Sequence, residues 1–121
     1  MTTILIIEDN HSHLKLATLL LKRTGYEVLG AADAIEGLRI AREKRPDLIL
    51  MDIQLPGMDG LTATRELKQD ATTRSIPVIA VTAYLAEFSE RDVRAAGCAG
   101  FIAKPYHHAE LLAAVKAALG E

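Results

Sequence analysis

The sequence predicts an alternating α/β fold: a five-stranded parallel sheet, order 2-1-3-4-5, built as five βα units with helices on both faces. Three observations predict it. Five short apolar runs are spaced along the chain and bounded by turn residues, as buried strands are. Segments with helical spacing separate them. Acidic, hydroxyl and basic side chains directly follow four of the runs and skip the second. In open α/β sheets ligands bind beyond the carboxyl ends of the strands, where the strand order reverses. The order 2-1-3-4-5 brings the ends of strands 1 and 3 together there and leaves strand 2 at an edge, so the omission is what that order requires.

The first run, Ile4-Leu5-Ile6-Ile7, is apolar throughout, as a strand covered on both faces must be. Leu14, Ala17 and Leu21 then share one helical face. Thr24-Gly25 closes that helix, glycine being favoured just past a helix end. Val28-Leu29 marks the second strand, and Ile35, Leu38 and Ala41 the next helical face. Arg45-Pro46 ends this helix, because a residue before proline avoids helical angles. Leu48-Ile49-Leu50-Met51 is the third strand. Asp59-Gly60 opens a helix whose inner face is Leu61, Thr64 and Leu67. Pro77 heads the fourth strand, Val78-Ile79-Ala80-Val81, where a missing amide proton matters least. A less regular helix, with Phe88, Val93 and Ala96 as apolar marks, runs from Ala86 to Ala96 and ends at Gly97. Phe101-Ile102-Ala103 is the fifth strand, and Leu112, Val115 and Leu119 line the last helix. Such parallel strands are joined by right-handed crossovers.

Composition narrows the function. The chain has 121 residues, which suits one domain, 1–121. It is 50% hydrophobic and 25% charged, which excludes disordered and low-complexity classes. No apolar stretch approaches the roughly 18 residues of a membrane span. No basic segment followed by an apolar core begins the chain, and its one cysteine, Cys98, cannot form an internal disulfide. Both facts point to the cytoplasm. A net charge of −2 leaves no electrostatic footprint for nucleic acid or an anionic membrane. One unit of this size is expected to act through a partner.

Glu8 and Asp9 follow the first strand, Asp52 the third, Thr82 the fourth, and Lys104 and Pro105 the fifth. Three carboxylates in one pocket cannot all stay ionised unless something neutralises them. A hard divalent cation with oxygen ligands does so, and few protein ligands suit Mg²⁺ better than Ca²⁺. Zinc is disfavoured because no His or Cys stands directly at these strand ends. A carboxylate can serve as nucleophile and form an acyl phosphate. Lys104 supplies an ammonium and Thr82 a hydroxyl for the phosphoryl oxygens.

Four motifs now stand in order: I-I-E-D-N at 6–10, L-I-L-M-D-I-Q-L-P-G-M-D-G at 48–60, V-T-A at 81–83 and F-I-A-K-P at 101–105. Together they resemble the receiver domain of response regulators, the CheY-like family of two-component signalling, over the whole chain. The D-I-Q-L-P and C-A-G-F-I-A-K-P segments are similar to those of DivK-like regulators and of hybrid-kinase receivers. The resemblance implies a flavodoxin-like fold and a signalling switch in place of a metabolic enzyme. It makes Asp52 the phosphoacceptor, Asp9, Asp52 and the backbone carbonyl of Gln54 Mg²⁺ ligands, and Glu8 a ligand through water. Thr82 then hydrogen-bonds the phosphoryl group and Lys104 pairs with it. Lys104-Pro105 is a cis bond, and Phe101 is the switch aromatic that follows Thr82. The implied donor is a phosphohistidine on a histidine kinase or phosphotransfer domain. The implied output is a protein target docking on the surface of the fourth helix, fifth strand and fifth helix, here Tyr84, Leu85, Phe88 and Tyr106. A monomer or weak dimer fits such use. A bulky Tyr84 two residues past Thr82 implies slow autodephosphorylation.

Each residue also has a plainer reading. Asp52 alone would be a turn or capping residue, Thr82 an ordinary strand residue, Lys104 a solvated lysine and Phe101 core. Their co-occurrence at matching strand ends favours the functional reading. Asn10 and Ser12 read as helix caps. His11 and His13 read as surface residues pointing to different sides, with His11 the better candidate to influence the phosphoryl chemistry. His107 and His108 open the last helix without a ligand partner in the pattern. Cys98 reads as a small buried hydrophobe. Two alternatives are a receiver excised from a longer regulator or hybrid kinase, and an aspartyl-nucleophile phosphohydrolase. The latter looks for a second Asp two residues past the nucleophile, where this chain has Gln54. A flavodoxin-like cofactor binder lacks its phosphate loop, and Glu8-Asp9 would repel the phosphate.

Overall fold

A computed structural model describes residues 1–83 and 90–121. The elements run β1 (Thr3–Ile7), α1 (His11–Arg23), β2 (Glu27–Ala31), α2 (Ala34–Lys44), β3 (Leu48–Asp52), α3 (Gly60–Gln69), β4 (Val78–Thr82), α4 (Glu90–Ala95), β5 (Gly100–Ala103) and α5 (His108–Leu119). All four strand pairings are parallel, and the order is β2-β1-β3-β4-β5. The topology is the expected one, with β2 at an edge and the ends of β1 and β3 side by side. No described helix is long and apolar enough to cross a membrane.

The pleat divides the core in two. Successive strand residues point to opposite faces. Leu5, Ile7, Ile49, Met51, Val78 and Ala80 join one cluster, covered by α2, α3 and α4. Ile4, Ile6, Leu48, Leu50, Ile79 and Val81 join the other, covered by α1 and α5. β3 and β4 are buried along their whole length, which is why their sequences are runs and not alternations. Full burial of a Leu or Ile side chain contributes roughly 1.5–3 kcal/mol, so both faces of the sheet matter to stability.

Helix ends follow local chemistry. Asn10, Asp33 and Asp59 cap α1, α2 and α3, each accepting a backbone N–H of the first turn on its side chain. Ser12 is no cap; it stands inside the first turn of α1. Past α1, Gly25 takes φ 107°. Arg45 meets the constraint of the following proline by turning left-handed, φ 44° and ψ 66°. It is the one non-glycine with positive φ among the described residues. The inner face of α2 is Ala34, Gly37, Leu38 and Ala41, and Ile35 is 72% exposed. The expected Ile35-Leu38-Ala41 stripe advances by steps of three only, which rotates its first member off the buried side. Val93 and Ala96 are buried as expected, whereas Phe88 lies outside the described residues.

Gly60 is the tightest joint. Its N–H donates to the Ile53 carbonyl at 2.9 Å. A Cβ added here would overlap the Asp52 carbonyl oxygen and lie 2.7 Å from Ile53 Cα. Both neighbours are backbone, so neither can swing aside. Gly60→Ala is expected to cost about 1–3 kcal/mol, in the range of overpacked cores. Chemical denaturation checks this, and an unchanged midpoint would show that the loop after β3 yields.

Candidate functional site

The carboxyl ends of β1, β3, β4 and β5 bring Glu8, Asp52, Thr82 and Lys104 to one rim. Asp52 closes β3, paired in register with Val81. Thr82 closes β4 opposite Ala103, and its carbonyl accepts the Lys104 N–H at 2.8 Å. Glu8, Asp52 and Thr82 are buried, while Asp9 and Gln54 are exposed. Oxygens of Glu8, Asp9 and Asp52 all lie within 4.8 Å of one another. These are hard, anionic oxygen donors, which fit Mg²⁺ and suit zinc poorly.

The buried charges are held by Lys104. Its ammonium donates to Glu8 Oε1 and stands 3.6 Å from Asp52 Oδ2. Backbone amides add to this. The Gln54 N–H donates to Asp52 Oδ1 at 3.0 Å, and the Asn10 N–H to Glu8 Oε2 at 3.1 Å. Among the described residues no buried side-chain nitrogen or oxygen lacks a partner. Lys104-Pro105 is a cis peptide bond.

Their surroundings shift the two buried carboxyls in opposite directions. Burial pushes Asp52 up, and the hydrogen bond and charge of Glu8 push it further, to about 7; Lys104 and the Gln54 N–H only partly oppose this. Burial also pushes Glu8 up, but its hydrogen bonds to Asp52, Lys104 and the Asn10 amide outweigh burial and leave it below its usual value. Glu8 therefore carries the negative charge that neutralises Lys104, and Asp52 is the carboxyl whose ionisation is costly without added positive charge.

One member of the site escaped sequence reasoning. His13, read as a surface residue, brings Nδ1 to 3.3 Å from Lys104 Nζ and 3.8 Å from Glu8 Oε1. Its side chain is still 51% exposed. The signal was available. Once Asn10 caps α1, residue 13 is the third helical position, and helical Cα–Cβ bonds tilt toward the N-terminus. His11 is exposed, in keeping with its reading as a surface residue. Phe101 is half-buried against the α2–α4 cluster. Tyr106 is half-buried on the other side. Tyr84, Leu85 and Phe88 lie outside the described residues. Cys98 is buried, as expected.

The Asp52 carboxyl couples folding to pH. Its folded pKa is raised from 3.8 to about 7, so the folded state binds the extra proton. The associated stability is present below about pH 4 and is lost as pH rises through about 7. Asp52→Asn removes that slope. With metal chelated, the variant's melting temperature should exceed wild type clearly at about pH 8 and little at about pH 4. A difference independent of pH would show that Asp52 ionises freely in the folded protein.

The chain's likenesses agree with this geometry. The response regulator receiver domain family matches residues 4–116. The polar-differentiation response regulator DivK of Brucella anthropi is 44% identical over 119 residues, covering 98% of this chain and 97% of that protein. The receiver domain of the sensor histidine kinase PA1611 from Pseudomonas aeruginosa superposes with a TM-score of 0.91 at 36% identity, covering 99% of this chain and 98% of that one. That structure holds a magnesium ion coordinated in its active-site cleft. The chemotaxis protein CheY4 of Vibrio cholerae gives 0.92 at 27% identity, covering 98% of this chain and 99% of that one. An acidic rim on a 2-1-3-4-5 sheet, with this breadth of similarity, places the chain in the response regulator receiver domain family, a CheY-like signalling switch of two-component systems.

Proposed function

We propose that Asp52 accepts a phosphoryl group from a phosphohistidine of a histidine kinase or phosphotransfer domain. The single observation that carries this is the placement of Asp52: a buried carboxyl at the end of β3 with an ammonium 3.6 Å away. Such a group is quiet until positive charge arrives, and then becomes an oxygen nucleophile held in place by the Gln54 N–H. In the transfer, an Asp52 Oδ–P bond forms as the donor's P–N bond breaks. The imidazole leaves with the electron pair and ends neutral by taking one proton, from Asp52 when that carboxyl is protonated and otherwise from solvent.

Asp9, Asp52 and the Gln54 carbonyl would hold Mg²⁺, with Glu8 assisting through water. When bound, the cation supplies the positive charge that lets carboxylates and phosphoryl oxygens share the hollow. Lys104 pairs with the phosphoryl oxygens and the Thr82 hydroxyl donates to one. Phe101 then follows Thr82 and alters the surface of α4, β5 and α5 for a protein target. Tyr106 is the described member of that surface.

Residues 1–121 act as a single cytoplasmic unit in this reading, monomeric or weakly dimeric, as a switch that catalyses its own phosphorylation and slow dephosphorylation. Its likeness to DivK along nearly the full length of both chains supports that organisation.

Incubation with acetyl phosphate and Mg²⁺, read by intact mass, tests the reading. One phosphoryl addition is expected, absent in Asp52→Asn and abolished by chelation. Lys104→Ala should slow labelling by about 10-fold or more, as loss of a charge-stabilising group does. Equal labelling in Asp52→Asn would overturn the assignment.

A further inference from the structure

A groove of about 540 Å³ opens beside the acidic hollow, and His13 stands on its wall with Leu16, Leu20, Lys104, Tyr106 and His108. The wall is mostly apolar, yet His13 turns its ring nitrogen inward to Lys104. An ammonium has three protons to donate and no lone pair. In this contact Nδ1 must therefore be the acceptor, which leaves the imidazole proton on Nε2. Lys104 is only 13% exposed, so few waters can replace a lost partner. Glu8 and His13, on β1's exit and α1, both draw Nζ to one side. Asp52, on β3, lies at 3.6 Å, beyond hydrogen-bond range.

We propose that His13 is a positioning residue for Lys104: by accepting an ammonium proton at Nδ1 it holds Nζ on the α1 side of the hollow and so restrains its move to a phosphoryl group on Asp52. The proposal rests on the phosphoacceptor reading above and adds a restraint to it. When Asp52 attacks acetyl phosphate, the new Oδ–P bond forms, the bond from phosphorus to the acetate oxygen breaks, and acetate leaves with the electron pair. Lys104 must by then have released His13 to meet the phosphoryl oxygens. His13 itself touches no reacting atom.

The side chain can be changed without disturbing the helix, because the Asn10 cap takes the backbone N–H of residue 13, not its ring. The test compares the full chain as wild type, His13→Ala and His13→Asn, labelled with ¹⁵N-lysine. Asn places an amide oxygen where the imidazole has Nδ1. In metal-free protein the Lys104 Nζ resonance should move in His13→Ala and return in His13→Asn. With acetyl phosphate and saturating Mg²⁺, the maximal labelling rate should rise about three- to tenfold in His13→Ala, the net scale of one ordinary, partly solvated hydrogen bond. Half-saturation by acetyl phosphate should stay the same, and Asn should restore the wild-type rate. An unmoved Nζ resonance, an unchanged or slower maximal rate, or no rescue by Asn would overturn the role of His13. Wild-type protein that takes no label would overturn the phosphoacceptor reading instead, while the Nζ resonance still decides whether His13 holds Lys104.

Discussion

Two carboxyl groups and one ammonium, withdrawn together from water, are the constraint around which this rim is built. Glu8 and Asp52 could not both be buried at a sheet edge without a cation between them. Lys104 arrives from β5, two strands away from β3, only because the order places β4 and β5 beyond it. The neutralisation is incomplete by design of the geometry: Glu8 takes the hydrogen bond and Asp52 is left at a longer distance. A group in that state is responsive to whatever positive charge enters.

The remainder of the architecture keeps these groups in register. Parallel pairing fixes Asp52 beside Val81 and Thr82 beside Ala103, so each strand end delivers its polar residue at the same height. Main-chain amides from Asn10 and Gln54 occupy the carboxylate oxygens that Lys104 cannot reach. The loop after β3 is pinned to the start of α3 through Gly60. Stability and chemistry pull in opposite directions at Asp52, as they do wherever a buried group must stay reactive.

Most of this was legible in the sequence, and the reasons are physical. Fully buried strands write themselves as unbroken apolar runs, so β1, β3 and β4 were found almost to the residue. The strand order was legible because a site must lie where the order reverses, and the polar residues after runs 1, 3, 4 and 5 marked it. Geometry finer than register was not. Ile35 was placed inside because periodicity of three imitates that of 3.6 over a few residues, and the structure leaves it exposed. His13 is exposed, as its spacing implies, but its contact with Lys104 is illegible because spacing reports which face a residue is on, not how far its ring leans back over a helix end. The unequal sharing of charge between Glu8 and Asp52 was also illegible, since it depends on which oxygen Lys104 reaches.

The alternation of the pleat has one more implication. Asp52 has the same parity as Leu48 and Leu50, which face the layer of α1 and α5. Any group added to its side chain is therefore felt directly by that layer. The opposite layer, α2 through α4, closes on the Asp52 main chain at Gly60, where a Cβ would overlap the Asp52 carbonyl oxygen. That half of the molecule therefore meets the rim at two places, the peptide planes around Asp52 and Gly60 and the Phe101 side chain packed against it.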